Sequence, residues 1–306
     1  MAEAFVLQGS DGNPIHTYRW VPPSPLRGIV QIAHGMAEHA GRYAPFAKCL
    51  NQSGYGAYAN DHRGHGKIAK STEELGHFAD KDGWELVQGD ALALSNRIRS
   101  EHPELPLILF GHSMGSFVAL SLLQRFPERY SGMILSGSTL PGGWLERLGL
   151  QIARFEGLRL GKRGRSPLIS FLSFGLFNLE FAPARTPFDW LSSDPQAVDA
   201  YVADPLCGFR CTNQLWIDLL EGLRSIVQRG FAKVPKNFPI HLIAGERDPV
   251  SKGGRGVRAL ADWLKASGLE RVTLKIYPGR HELLHERNRE EVMREIVQVL
   301  DTFIAS

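Results

Sequence analysis

Cysteine is scarce: Cys49, Cys207 and Cys211 are the whole supply. Three thiols do not make a disulfide framework, so stability has to come from a buried apolar core. Cys207 and Cys211 are near enough in sequence to pair, but they read as free, half-buried thiols. The segment Met1 to Leu7 has no basic stretch leading into a long apolar run, which argues against a signal peptide. No run is long enough to span a membrane. An excess of one charge is also missing: 35 Lys and Arg stand against 32 Asp and Glu, a net charge of +3. That balance excludes nucleic acid as the main partner, and no basic run is interleaved with aromatics. Cytoplasmic placement is the expectation. With 306 residues, 43% of them hydrophobic, the chain is large enough for one α/β domain carrying an insertion.

The most informative stretch present is Gly111-His112-Ser113-Met114-Gly115. Before it stands the apolar run 106–110, a buried strand by pattern. After it, 116–125 reads as a helix. A serine at such a junction, with glycine two residues away on each side, has the pattern of a nucleophile elbow. The turn holds the serine in a strained backbone conformation, and side chains at the glycine positions would meet neighbouring backbone. The Met114 amide opens the helix, where partial positive charge favours an oxyanion. About 0.2 such matches are expected by chance in a chain of this composition. The elbow therefore needs a base and an acid further along the chain.

Residues 238–244 read as a strand running into Gly245-Glu246-Arg247-Asp248. Residues 271–277 read as another, running into Pro278-Gly279-Arg280-His281. The order Ser113, Asp248, His281 is that of the α/β-hydrolase fold. Ser113 is then the nucleophile, His281 the base and Asp248 the acid, with His285 as the alternative base. Upstream, strand 28–34 ends in His34-Gly35-Met36, and the Met36 amide pairs with that of Met114 as the candidate oxyanion hole. The string His281-Glu282-Leu283-Leu284-His285 also matches a zinc-protease signature. Zinc ligands at that spacing must share one helix face, and Pro278-Gly279 places His281 in a turn or first helical turn. No metal and no cofactor is expected.

Along the chain, 10–14 is a hairpin turn, 43–52 a helix, 56–60 a short buried strand and 61–66 a tight turn. Asp82 is the expected cap of a helix running to about Ser100. Strands alternating with helices imply a mainly parallel sheet. The alternation fails from about Leu140 to Lys233, where helical patterns take over. The expected organisation is a core in two parts, 1–139 and 234–306, with a helical cap at 140–233 over the serine. The most apolar part of the cap is 167–181, and Phe174 and Phe177 within it are candidate substrate-binding residues. An apolar wall above a serine suits an acyl chain, though the same aromatics also read as cap core. Arg159, Lys162, Arg163 and Arg165 read either as a face for anionic lipid or as a solvated rim.

At these residues the chain resembles α/β-hydrolases of the monoacylglycerol lipase and bacterial lysophospholipase group, also labelled serine aminopeptidase S33-like. The matching segments are 34–43, with Glu38 and Arg42 placed as in that group, 60–66, 111–115, 245–250 and 277–284. Segments 185–190 and 201–209 resemble the lysophospholipase branch. The resemblance implies the triad Ser113, Asp248 and His281 and the oxyanion amides Met36 and Met114. Met36 stands where the group's monoacylglycerol lipases usually carry a small residue, which implies a narrower acyl pocket. The expected function is a serine carboxylic-ester hydrolase acting on a lipid-like ester with one acyl chain, monoacylglycerol or lysophospholipid. A short-chain carboxylesterase or thioesterase is the alternative, and a non-catalytic hydrolase-like binding protein a further one. The sequence is silent on headgroup, acyl length and oligomeric state.

Overall fold

Short apolar runs alternating with amphipathic ones build one twisted sheet with helices on both faces. The computed structural model describes residues 3–69 and 71–305. A hairpin, β1 (Glu3–Gln8) and β2 (Pro14–Trp20), leads into β3 (Gly28–Ala33), α1 (Ala44–Gln52) and β4 (Tyr55–Asn60). Then come α2 (Gly83–Glu101), β5 (Leu107–His112), α3 (Met114–Arg125) and β6 (Gly132–Ser136). Five helices follow: α4 (Trp144–Leu160), α5 (Pro167–Ser170), α6 (Leu176–Leu179), α7 (Pro195–Ala203) and α8 (Asn213–Arg229). The chain closes with β7 (Ile240–Gly245), α9 (Arg255–Ala266), β8 (Val272–Tyr277) and α10 (Arg289–Ile304).

The strand order is β1-β2-β4-β3-β5-β6-β7-β8, with β2 antiparallel to its neighbours and the rest parallel. Strands β3 to β7 are buried at every position, as a parallel sheet covered on both faces requires. Register sets Ala33 beside Gly111, His112 beside Ser136 and Gly245 beside Tyr277. The carboxyl ends of these strands therefore share one edge of the sheet, the usual place for a site in an open α/β fold.

Residues 10–14 do form the hairpin turn, closed by the Gly9 amide donating to Asn13 O at 2.8 Å. The 61–66 turn is held by Asp61, whose carboxylate accepts from the amides of Ala40 and Lys67, both at 2.9 Å. Asp82 departs from expectation. It precedes α2 but sits in the left-handed region, φ 54°, and its side chain makes no capping bond. A capping carboxylate needs extended backbone to reach back over the first turn, and this one does not have it.

The insert is not one layer. Helices α4 to α7 lie outside the sheet's helical cover. In α8, Leu215, Leu219, Leu223 and Ile226 belong to the same buried cluster as α2, α3 and the sheet. Gln124 of α3 donates to Ile226 O at 2.9 Å. A Cβ at Gly222 would stand 2.4 Å from the Trp84 ring, so only glycine lets α8 approach α2 this closely.

Candidate active site

Ser113 follows β5 and stands at the N-cap of α3 with φ 50° and ψ −120°, a conformation few side-chain-bearing residues adopt. The glycines make it feasible. A Cβ on Gly115 would lie 2.1 Å from Ala33 O, and one on Gly111 would lie 2.6 Å from Gly115 O. The Ser113 amide is held by Ser136 O at 2.9 Å. The result is a half-buried hydroxyl at the carboxyl edge of the sheet.

Asp248 and His281, from the ends of β7 and β8, meet there. His281 Nδ1 lies 2.9 Å from Asp248 Oδ1, which also accepts from the Val250 amide at 2.9 Å. Both residues are buried. Burial works against the Asp248 charge, but the His281 ring and its hydrogen bond hold the carboxyl below its ordinary range. The same pair acts in reverse on His281. Burial pushes the imidazole down, the Asp248 charge and hydrogen bond push it up, and the net shift is upward. His112 packs its ring on His281 at 4.7 Å, and burial pushes His112 down to about 4, so it stays neutral. Among the described residues, Ser113 Oγ makes no hydrogen bond to His281; such bonds often tighten only with substrate bound.

His285 lies elsewhere. It ends a short 3-10 turn, is buried, and faces Tyr43 at 6.5 Å. His281 precedes that turn, so the two histidines do not share a helix face. Glu282 gives both carboxylate oxygens to Arg42, each at 2.7 Å. The zinc-like string is thus split three ways, onto Asp248, Arg42 and Tyr43.

The turn after β3 stands beside the serine. A Cβ on Gly35 would come within 3.3 Å of Ser113 Cβ. Glu38 Oε1 accepts from the Gly35 amide at 2.6 Å and from the Tyr43 hydroxyl at 2.8 Å. Glu38 Oε2 accepts from Arg42 at 2.6 Å. Ala37 sits at φ 57°, and its carbonyl accepts from the Tyr201 hydroxyl at 2.7 Å and the Gly208 amide at 2.9 Å. Among the described residues, the amides of Met36 and Met114 have no hydrogen-bond acceptor within the chain.

Arg42 thus bridges two buried carboxylates, one beside the turn after β3 and one next to His281 in the chain. Arg42→Met should leave both unpaired and cost about 3–5 kcal/mol of stability. Urea unfolding measures it. Adding Glu282→Gln should recover part of the loss, since one stranded charge is then gone. A single variant as stable as the parent would contradict this account.

The insert reaches the site through Trp190, which sequence reasoning did not single out. Its ring lies 5.0 Å from that of His281. Phe174 stacks on Trp190 at 5.6 Å, and Phe177 packs on it at 5.3 Å. The two candidate cap residues are therefore one ring removed from the histidine. The apolar run holding them is a helix interrupted by a π-turn, Phe171–Gly175, with Leu168, Phe171, Leu172, Leu176 and Leu179 exposed. The basic cluster is less available than a lipid-facing reading needs. Arg159 pairs with Glu156, Arg163 with Asp80, and Lys162 and Arg165 donate to carbonyls of the 72–80 loop. Lys162, Arg163 and Arg165 thus join the insert to the 72–80 loop, while Arg159 pairs within α4. Nothing in sequence marks Glu282 as Arg42's partner, because 240 residues separate them.

Topology and site together define an α/β-hydrolase. The family model described as serine aminopeptidase, S33 matches residues 24–288, and the chain belongs to that family. A monoacylglycerol lipase of Mycolicibacterium smegmatis is 32% identical over 286 residues, covering 90% of this chain and 89% of that one. A monoglyceride lipase of Rattus norvegicus is 26% identical, covering 98% and 89%. Among solved structures, a thermostable carboxyl esterase from Bacillus coagulans, in complex with glycerol, superposes with a TM-score of 0.87. It is 30% identical over 99% of each chain. The chain is accordingly a carboxylic-ester hydrolase of the serine-hydrolase class.

Proposed function

We propose that the protein hydrolyses a lipid-like ester with one acyl chain, monoacylglycerol or lysophospholipid, through a Ser113-His281-Asp248 triad. The observation that carries this reading is the aromatic wall formed by Trp190 against His281 with Phe174 and Phe177 packed on Trp190. Such a wall suits an acyl chain, since each buried methylene contributes roughly 0.8 kcal/mol. Ser113 attacks the carbonyl, and His281 takes its proton. The amides of Met36 and Met114 receive the oxyanion. His281 then protonates the leaving alcohol, and water releases the acyl group by the same steps in reverse. Asp248 holds the imidazole tautomer throughout. No step calls on a metal.

The test is hydrolysis across monoacylglycerols, lysophospholipids and p-nitrophenyl esters of graded length, with and without cap substitutions. Phe174→Ser or Phe177→Ser should lower kcat/KM for medium and long chains about tenfold more than for acetate, because a buried phenyl contributes roughly 1.5–3 kcal/mol. Matched losses would make these rings cap core only. A flat chain-length profile in the parent protein would favour the general esterase reading, which the 30% identity to the Bacillus coagulans esterase also supports.

We propose further that the insert contacts a membrane surface with its apolar side. Trp144, Phe155 and Leu158 of α4 are 72%, 63% and 88% exposed. Trp144→Ser with Phe155→Ser should reduce flotation with phosphatidylcholine vesicles severalfold, and salt should not. Binding abolished by salt and untouched by these substitutions would mean that the basic cluster does the work.

A further inference from the structure

The turn that follows α7 puts three different donor types beside the oxyanion turn. His39 Nε2 lies 2.9 Å from Asp204 Oδ2. Cys207 completes the group, with a ligand atom of each residue within 4.8 Å of the other two. The Asp204–Cys207 spacing is fixed locally. The Cys207 amide donates to Asp204 O at 3.0 Å, and the Leu206 amide donates to Asp204 Oδ1 at 2.9 Å. That leaves Oδ2 facing outward to His39, with the thiol three residues further on.

We propose that His39, Asp204 and Cys207 form a binding site for a thiophilic divalent cation, zinc by preference, and that its occupation slows turnover. The donor set is nitrogen, carboxylate oxygen and thiolate sulfur, the combination zinc takes. Tetrahedral zinc with bonds of about 2.0–2.3 Å needs ligand atoms about 3.3–3.8 Å apart, so the His39–Asp204 pair at 2.9 Å opens slightly while the wider part of the group, up to 4.8 Å, closes. Asp204 is part-exposed, which leaves room for water as the fourth ligand. The charges balance, since thiolate and carboxylate together neutralise the ion. Binding releases the thiol proton to solvent. His39 Nε2 gives up its hydrogen bond to Asp204, and the imidazole carries its proton on Nδ1. Among the described residues that nitrogen has no partner, so the present tautomer is fixed only by the Asp204 carboxylate, which the ion itself engages.

The link to turnover rests on the oxyanion reading above. His39 follows the turn that carries the Met36 amide. Tyr201 and Gly208, on either side of Asp204 and Cys207, both hold the Ala37 carbonyl. Drawing the 204–207 turn onto His39 moves the groups that set this turn. The site is inhibitory and none of its ligands belongs to the triad, so removing metal from the enzyme does not lower activity.

Cobalt titration into the purified full-length protein, without substrate, reads the site directly. A near-ultraviolet sulfur-to-cobalt band should appear, vanish with zinc or EDTA, and be absent in Cys207→Ser. Zinc affinity by competition should fall in Cys207→Ser by more than the about 10–100-fold typical of losing an outer-shell partner. Asp204→Asn should weaken it as well, with the thiol still present. Buffered zinc should slow a short-chain ester assay reversibly in the parent protein and leave Cys207→Ser unaffected. No band, or a band that survives Cys207→Ser, overturns the site. A band with unchanged turnover overturns its control of the oxyanion turn. Because the spectrum needs no substrate, its failure is separable from failure of the ester-hydrolase reading.

Discussion

Ser113→Ala should lower kcat by about 10⁶-fold, the scale on which loss of a triad nucleophile acts in other serine hydrolases. The fold should survive, because Ser113 Oγ makes no hydrogen bond among the described residues and the turn is held by the Ser113 amide and the two glycines. A fluorophosphonate probe should label the parent protein and not this variant. His281→Ala should match the loss, and His285→Ala should not, since Asp248 bonds only the first. Unchanged turnover in folded Ser113→Ala would overturn the serine mechanism. Failure of the parent protein to label or turn over any ester would favour a binding protein built on the same fold.

Asp248→Asn should cut kcat by about 10⁴-fold by favouring the wrong imidazole tautomer. It carries a second signature in pH. His281 must be neutral to act as base, so kcat/KM rises as pH climbs through its pKa. In the parent protein that limb should lie above the ordinary histidine value, because Asp248 outweighs burial. With asparagine the largest upward influence is gone and only the weaker pull of Glu282 and Glu38 opposes burial, so the limb should move to lower pH while the plateau falls. Glu246→Gln, on an exposed neighbour of the same loop, should do neither. Equal losses at the two positions would mean that the acid is misassigned.

Candidate site residues were legible where they follow a strand end. Ser113, Asp248 and His281 each follow an apolar run, and register along one sheet brings such ends together without further information. The elbow glycines were legible for a related reason, since their role is local backbone geometry. Trp190 and Glu282 were not. Each acts through a partner far away in the chain, and neither breaks a local pattern. The Asp82 cap failed because residue type suggests a cap while backbone conformation decides it. The basic cluster was visible as composition, but composition does not reveal that Asp80 and Glu156 already hold two of its cations.

The position of α8 bears on how such an enzyme can be re-engineered and how its relatives can diverge. Residues 141–203 hold to the scaffold through Trp190 and Tyr201, through α4 lying along α8, and through hydrogen bonds from 191–193 to Glu282, His285 and Glu286, so exchanges there have to keep those contacts and are freest on the exposed apolar faces of α4 and 168–179. Helix α8 cannot travel with these residues. Its leucines complete the core beneath the sheet, and Gly222 fits one particular tryptophan. A graft that treats the whole stretch between β6 and β7 as a module would remove part of the scaffold's interior. The natural splice point for altering substrate preference lies ahead of Thr212, whose hydroxyl caps α8 by accepting from the Leu215 amide.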